Sequence, residues 1–394
     1  MKKICHLLLC MACLVGCTGD KQSSGVKRPG PCIATPAVHM YNDPQTDNLF
    51  TIRMFSVLAT AQKGNIVYSP TGTEAMVRLL QQGAAGATLK ELNELHLGKE
   101  NPTSSLQITQ ADALFVDREL TLKPEHTGNN IHKVPFTGSA TLAADAINQW
   151  VNKSTSGKIS KIIGTADIDR QTRMMVLNAI NLKAEWQHAF DKNATRPRLF
   201  TTQDGKQIPC QMMISRAKYR YAEGDSWQAV ALMYTPKQAG SPACFVGILP
   251  KGNARAFATI LTPHQYKDIL KALAASKPQD IVVQLPRFEH QPGTVSLTPA
   301  LKLCGMQQAF GMGADFSRFS DTPLYVADVL QQCRIIADET GTEASAANLA
   351  ELRVKSIKRT TQPGHITFDR PFIWVITDLT PHSTPYFMGL FETP

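Results

Sequence analysis

The residue types that could do chemistry are present, but most lack the spacing that chemistry needs. Ten histidines form no metal-ligand pattern, and no G-x-S-x-G, H-E-x-x-H, G-x-x-x-x-G-K-[ST] or G-x-G-x-x-G occurs. No nucleophile, metal, cofactor or phosphate site can be assembled from sequence, and nothing recommends an enzyme. The informative stretch is instead Asp338-Glu-Thr-Gly-Thr-Glu-Ala-Ser-Ala-Ala347, where Gly341 supplies a flexible start and four small residues run together. Taken alone it fits a plain exposed helix. It also lies between strand-like Arg334-Ile-Ile336 and Ile366-Thr-Phe368, in a run without proline from Leu324 to Gln362. Such a run can enter the middle of a sheet, where proline would break the ladder. Small side chains would pass easily between two strands being pried apart.

The elements around this stretch read as a mixed domain. Thr71-Gly-Thr-Glu74 has the spacing of a capping box, followed by Met76, Leu79 and Leu80 on one face and Gly83 as a stop. Ala143, Ile147, Trp150 and Val151 form a second amphipathic helix, and Thr298-Pro299 opens a third that Gly305 closes. Cys244–Leu249, Ile281–Leu285, Phe372–Ile376 and Phe387–Phe391 read as strands, the third continuously apolar as if buried on both faces. Helices concentrate early and strands late, which predicts an α+β domain rather than a doubly wound sheet.

Composition sets the outer limits. Of 394 residues, 43% are hydrophobic, which excludes a chain disordered throughout. The balance of 41 Lys+Arg against 32 Asp+Glu is mildly basic and no nucleic-acid signature. At the amino terminus Lys2-Lys3 precede a short apolar run, Ile4–Val15, too brief for a stable span. It ends in Leu14-Val-Gly-Cys17, which resembles a bacterial lipobox. Residues 1–16 are then a lipoprotein signal peptide, Cys17 the acylated first residue, and 17–45 a flexible tether. The alternative is an ordinary secretory leader with an incidental Cys17. Cys5, Cys10 and Cys13 leave with the leader, so their C-x-x-C is no redox site. The scattered Cys32, Cys210, Cys244, Cys304 and Cys333 read as small buried hydrophobes.

The hinge-like stretch and a series of ordered motifs resemble the serpin family. Glu339-Thr-Gly-Thr-Glu-Ala-Ser-Ala-Ala347 resembles the inhibitory hinge E-x-G-T-E-A-A-A-A. Asn65-Ile-Val-Tyr-Ser-Pro70 is similar to the N-x-x-x-S-P opening the shutter helix, and Gly83–Thr88 to its end. Leu177–Trp186 resembles the N-A-x-x-F-K-G-x-W strand, with Ala184 in place of glycine. Leu285-Pro-Arg-Phe288, Ala314-Asp-Phe-Ser317, Asp369-Arg-Pro-Phe372 and Phe387-Met-Gly389 fit the second half.

The resemblance implies a serpin fold over 46–394: one large domain with a central mixed or antiparallel sheet, further sheets, about eight to nine helices, and an exposed reactive loop near 339–362. It implies suicide inhibition of a serine endopeptidase. The protease cleaves the loop and is held as an acyl-enzyme while the loop inserts as a new strand in a five-stranded sheet. About sixteen residues at about 3.3 Å each would carry the protease roughly 50 Å. The hinge residues would be Glu339, Gly341, Thr342, Glu343, Ala344, Ser345, Ala346 and Ala347. Thr342 is the first inward residue, followed on the same side by Ala344, Ala346, Asn348, Ala350 and Leu352.

Family register places the scissile bond at Lys355–Ser356, with Arg353, Lys358 and Arg359 as neighbouring competitors. A lysine there selects trypsin-like targets whose pocket carries a carboxylate. The same basic cluster would also suit a solvated loop face. Ser69 and Asn178 fall at the shutter, with Gly72 and Gln331 where the family usually has serine and histidine. Glu339 is expected to pair with Arg287 beside Trp186. No cofactor, metal or nucleic acid is implied. The expectation is a monomeric exported bacterial lipoprotein, periplasmic or at the cell surface, held to a membrane through Cys17. A non-inhibitory serpin-fold surface binder and a cross-class inhibitor of papain-like cysteine proteases are the alternatives.

Overall fold

The structure, a computed structural model, describes residues 49–98, 104–126, 130–290, 293–342, 363–380 and 383–394. Among these are seven α-helices, against the eight to nine expected, and four short 3-10 helices. The helices are α1 (Leu49–Ala61), α2 (Pro70–Gly83), α3 (Gly86–Asn93), α4 (Ala140–Ser154), α5 (Ala254–Ile260), α6 (Pro263–Ala275) and α7 (Thr298–Leu303). The first eight strands are β1 (Ile66–Tyr68), β2 (Gln107–Asp117), β3 (Ile131–Val134), β4 (Met174–Glu185), β5 (Arg196–Thr201), β6 (Gln207–Glu223), β7 (Trp227–Met233) and β8 (Ala243–Pro250). The remainder are β9 (Gln279–Pro286), β10 (Phe288–His290), β11 (Thr294–Ser296), β12 (Asp328–Ala337), β13 (Gly341–Thr342), β14 (Gly364–Thr367), β15 (Phe372–Asp378) and β16 (Phe387–Phe391).

Local chemistry explains the helix starts. Ser69, not Thr71, caps α2: its hydroxyl accepts from the Gly72 N–H at 3.1 Å, and Pro70 occupies the first turn, where its missing N–H costs nothing. The proline immediately before the expected box shifts the boundary. Ser139 caps α4 and Thr262 caps α6 in the same way. Gly305 adopts φ +109 just beyond α7, the backbone state that glycine tolerates best.

The long strands β2, β4 and β6 all begin in the first 210 residues, so the anticipated split into early helices and late strands does not hold. In β4 the alternation is hidden because nearly every position is buried, the two asparagines Asn178 and Asn181 included. The α+β class itself stands.

Two sheets carry the fold. In the first, the order is β3–β2–β4–β12, with β10 and β11 in succession along the far edge of β12 and β13 lodged between β4 and β12 at one end. Five positions span this sheet, and the wedge is a sixth begun. The second runs β1–β16–β15–β8–β7–β6–β9–β14, with β5 beside β6.

Apolar residues gather in three places. One cluster fills the space between the two sheets, around Trp186, Phe245, Trp374 and Phe391. Another joins α1, α2, α5, α6 and α7 to the second sheet through Phe55, Tyr266 and Ile373. The third lies under α4, where Ala143, Ile147 and Val151 meet Phe115, Leu177 and Ala179 of the first sheet. The first sheet is therefore packed against the second sheet on one face and against α4 on the other. Cys210, Cys244, Cys304 and Cys333 are free and buried, as expected of small core residues, and burial raises the pKa of all four thiols. Cys32 lies outside the described residues, as do Cys17 and the leader.

Candidate functional site

The site is the junction between β4 and β12. Over most of their length the two strands pair directly and in parallel, from Asp328 opposite Met175 to Arg334 opposite Asn181. Above Arg334 they separate, and Gly341–Thr342 sits between them. Gly341 pairs with Glu185 and Thr342 with Ala184 on one side, while Thr342 pairs with Ala337 on the other, antiparallel to both neighbours. An added strand in this gap must run in that direction.

A turn built by Asp338 feeds the chain back into the sheet. Its carboxylate accepts from the Thr340 N–H at 2.8 Å, the Thr340 hydroxyl at 2.6 Å and the Gly341 N–H at 3.1 Å. Trp186 clamps the turn from below: its indole N–H donates to the Asp338 carbonyl at 2.8 Å and its backbone N–H to the Thr340 carbonyl at 3.0 Å. Gly341 is obligatory, because a Cβ there would collide with the carbonyl oxygen of Ala184. Thr342 is fully buried, and its hydroxyl lies 2.6 Å from the hydroxyl of Tyr234.

Glu339 is 5% exposed, but the anticipated pair with Arg287 is not formed. Its carboxylate accepts instead from the Thr195 hydroxyl at 2.9 Å, and its carbonyl from the Phe190 N–H at 2.8 Å. Strand alternation is the cause. Phe288 turns inward to pack on Trp374 and Phe391, so the preceding Arg287 points outward and is exposed. Glu343, Ala344, Ser345, Ala346, Ala347 and the Lys355–Ser356 bond lie outside the described residues.

Lower in the seam, a buried polar network ties the two strands to α2. Gln331 on β12 donates from Nε2 to the Ser69 carbonyl at 3.0 Å, the Thr73 hydroxyl at 3.2 Å and Asn178 Oδ1 at 2.9 Å, and its Oε1 accepts from the Ser69 N–H at 2.8 Å. The Ser69 hydroxyl donates to the Tyr386 carbonyl at 2.8 Å. Gly72 proves to be an adaptation: a Cβ there would overlap the Asn178 carboxamide, which packs against the helix backbone.

The far end of the Asn178 side chain donates to Asp112 on β2 at 2.6 Å, and Gln110 donates to the same carboxylate at 2.7 Å. Burial outweighs these two bonds and pushes the Asp112 carboxyl up to about 6.

Glu339, Gly341, Thr342 and Trp186 are thus brought together, Ser69 and Asn178 meet Gln331, and Arg287 stands apart. Three residues escaped sequence reading: Asp112, Thr195 and Tyr234. Each acts through a partner 66 to 144 positions away, so no local spacing signals it.

A family model for Serpin (serine protease inhibitor) matches residues 45–394. The chain belongs to the serpin family, whose members generally inhibit serine proteases. It is 28% identical over 390 residues to plasminogen activator inhibitor 1 of Bos taurus, covering 88% of this chain and 91% of that one. An uncharacterized serpin-like protein of Methanosarcina acetivorans is 26% identical over 98% of this chain and 96% of its own. Among solved structures, tengpin, a thermophilic serpin in its native state, superimposes with a TM-score of 0.76 at 24% identity, over 89% of this chain and 94% of that one, a likeness of fold.

Proposed function

We propose that this serpin is a suicide inhibitor of trypsin-like serine proteases. A protease attacks the Lys355–Ser356 bond and forms an ester between its serine and the Lys355 carbonyl, with release of the new amino terminus at Ser356. The segment from Thr342 onward then continues as a strand between β4 and β12 and carries the acyl-enzyme with it. Strand addition of this kind recovers main-chain hydrogen bonds along both neighbours and releases strain held in the starting fold.

The observation that carries the reading is the state of the seam. β4 and β12 are still paired with each other below Arg334, and the gap above is entered in the antiparallel sense by Gly341–Thr342. On the alternation set by Thr342, Ala344 and Ala346 would be the next residues to face inward, and both are small enough to follow. The hinge contains no proline to stop a ladder.

The protein is further proposed to be an exported bacterial lipoprotein, anchored through Cys17 with residues 17–45 as its tether, monomeric, and acting at the cell surface or in the periplasm. Mixing it with trypsin on a denaturing gel tests the mechanism. A band near the summed masses, with a carboxyl-terminal fragment beginning at Ser356, is the expected result. Cleavage at that bond without a stable complex would make the loop a substrate. A fragment beginning elsewhere would move the bond to Arg353, Lys358 or Arg359.

A further inference from the structure

Tyr234 follows β7 and is joined to Trp186 by an isolated antiparallel bridge. Its ring stacks on the Trp186 indole with centroids 4.8 Å apart and planes 10° from parallel. Trp186 in turn holds the Asp338–Thr340 turn through two hydrogen bonds, so the phenol sits on a platform fixed to the hinge itself. The ring is buried, and burial raises its pKa, so the hydroxyl keeps its proton. Among the described residues that hydroxyl has one hydrogen-bond partner, the buried hydroxyl of Thr342.

We propose that Tyr234 is a positioning residue that latches the hinge: its hydroxyl keeps Gly341–Thr342 seated between β4 and β12 before any protease arrives. Withdrawal of Thr342 would strand a buried phenol without a partner, in the interior where its ring stacks on Trp186. A stranded buried hydroxyl shifts the balance toward the seated state by roughly tenfold or more. The backbone pairs of Gly341 and Thr342 alone offer less, because two residues at a strand end fray readily. Insertion would then extend a strand already begun, without first having to align a free chain with the gap. The consequence for inhibition rests on the suicide mechanism proposed above: a seated hinge favours insertion over hydrolysis of the acyl-enzyme.

Amide hydrogen exchange at Gly341 and Thr342 tests the latch in the intact, uncleaved protein and needs no protease. Tyr234→Phe and Thr342→Val should each speed this exchange by about tenfold. The double variant should exchange no faster than either single one, since both remove the same bond, and Thr342→Ser, which keeps a hydroxyl, should stay near the parent. Unchanged exchange in both single variants, or additive effects in the double, would overturn the proposal. Should Tyr234→Phe fail to fold, Thr342→Val at the end of the strand carries the same test. Titration against trypsin supplies the second readout, where the single variants should consume more inhibitor molecules per protease trapped. If the parent traps no trypsin, the suicide reading falls while the exchange result still decides the latch.

Discussion

Asn178 and Gln331 are hydrogen-bonded across the seam between β4 and β12, with Oδ1 accepting from Nε2 at 2.9 Å, and both side chains are buried. Directly opposite in the parallel register, they join the two strands that loop insertion would part. An incoming strand would move them from neighbours to next-neighbours, about 4.8 Å further apart, and break that bond. The network is therefore a resistance to opening, located well below the point where the hinge enters.

Replacing Gln331 with leucine should expose this directly. The substitution leaves the buried Ser69 N–H and the Asn178 carbonyl without their partner, a loss of about 2–3 kcal/mol. Urea unfolding should show a lower midpoint at unchanged slope. Incubated alone at moderate temperature, the variant should also lose inhibitory capacity faster than the parent, as its uncleaved loop enters the sheet or pairs with another molecule. An unaltered midpoint would mean that the network contributes nothing net.

Gly72→Ser should be destabilising here, although serine is the usual family residue at this position. Its Cβ would overlap the Asn178 side chain, and turning Asn178 aside breaks the bonds to both Gln331 and Asp112. A loss of about 1–3 kcal/mol is expected from overpacking in a site that cannot expand. Combining it with Gln331→His tests whether the two departures compensate: a double variant less destabilised than the sum of the singles would show that they are coupled.

Asp112 should give a pH dependence of known sign. Its folded-state carboxyl titrates at about 6, above an unfolded value of about 3.9. Between these values the folded protein holds a proton that the unfolded chain has released, so the contribution of this group to stability is greatest below about pH 4 and is lost as pH rises through about 6. Asp112→Asn should flatten that slope and stabilise the protein at neutral pH by up to about 2 kcal/mol, provided Gln110 turns its exposed amide. Urea midpoints at pH 5 and pH 7.5 measure the effect. A slope identical in parent and variant would assign the dependence to other groups.

The hinge anchor can be separated from its expected partner. Thr195→Val removes the donor to the buried Glu339 carboxylate and should lower stability by about 1–2 kcal/mol, whereas Arg287→Ala, at an exposed side chain, should change it by less than about 0.5 kcal/mol. Thermal unfolding of the two variants side by side distinguishes them. The reverse order would restore an Arg287–Glu339 pair in solution.

Gly341→Ala should leave the fold intact but prevent strand β13 from seating, because the added methyl meets the Ala184 carbonyl. Faster exchange of the Thr342 amide and a greater share of cleaved, uncomplexed inhibitor after reaction with trypsin are expected. Wild-type partition would show that the seated hinge plays no part in trapping.

The sequence by itself determined the fold class and marked out the run around Gly341. Long apolar runs such as Phe372–Ile376, the proline-free stretch from Leu324 to Gln362 and the Gly341-centred run of small residues are local patterns, legible wherever strand propensity and side-chain size decide the outcome. Ser69, Asn178 and Thr342 were all singled out through motif resemblance. Tertiary structure alone decided the partners. Register across strands set Asp112 opposite Asn178 and Asn178 opposite Gln331, and the inward turn of Phe288 sent Arg287 to the surface and left Glu339 to Thr195. The seam, paired below Arg334 and entered above it by Gly341–Thr342, is likewise a property of packing: which strands lie side by side depends on the free energy of the whole sheet, and local spacing carries no record of that balance.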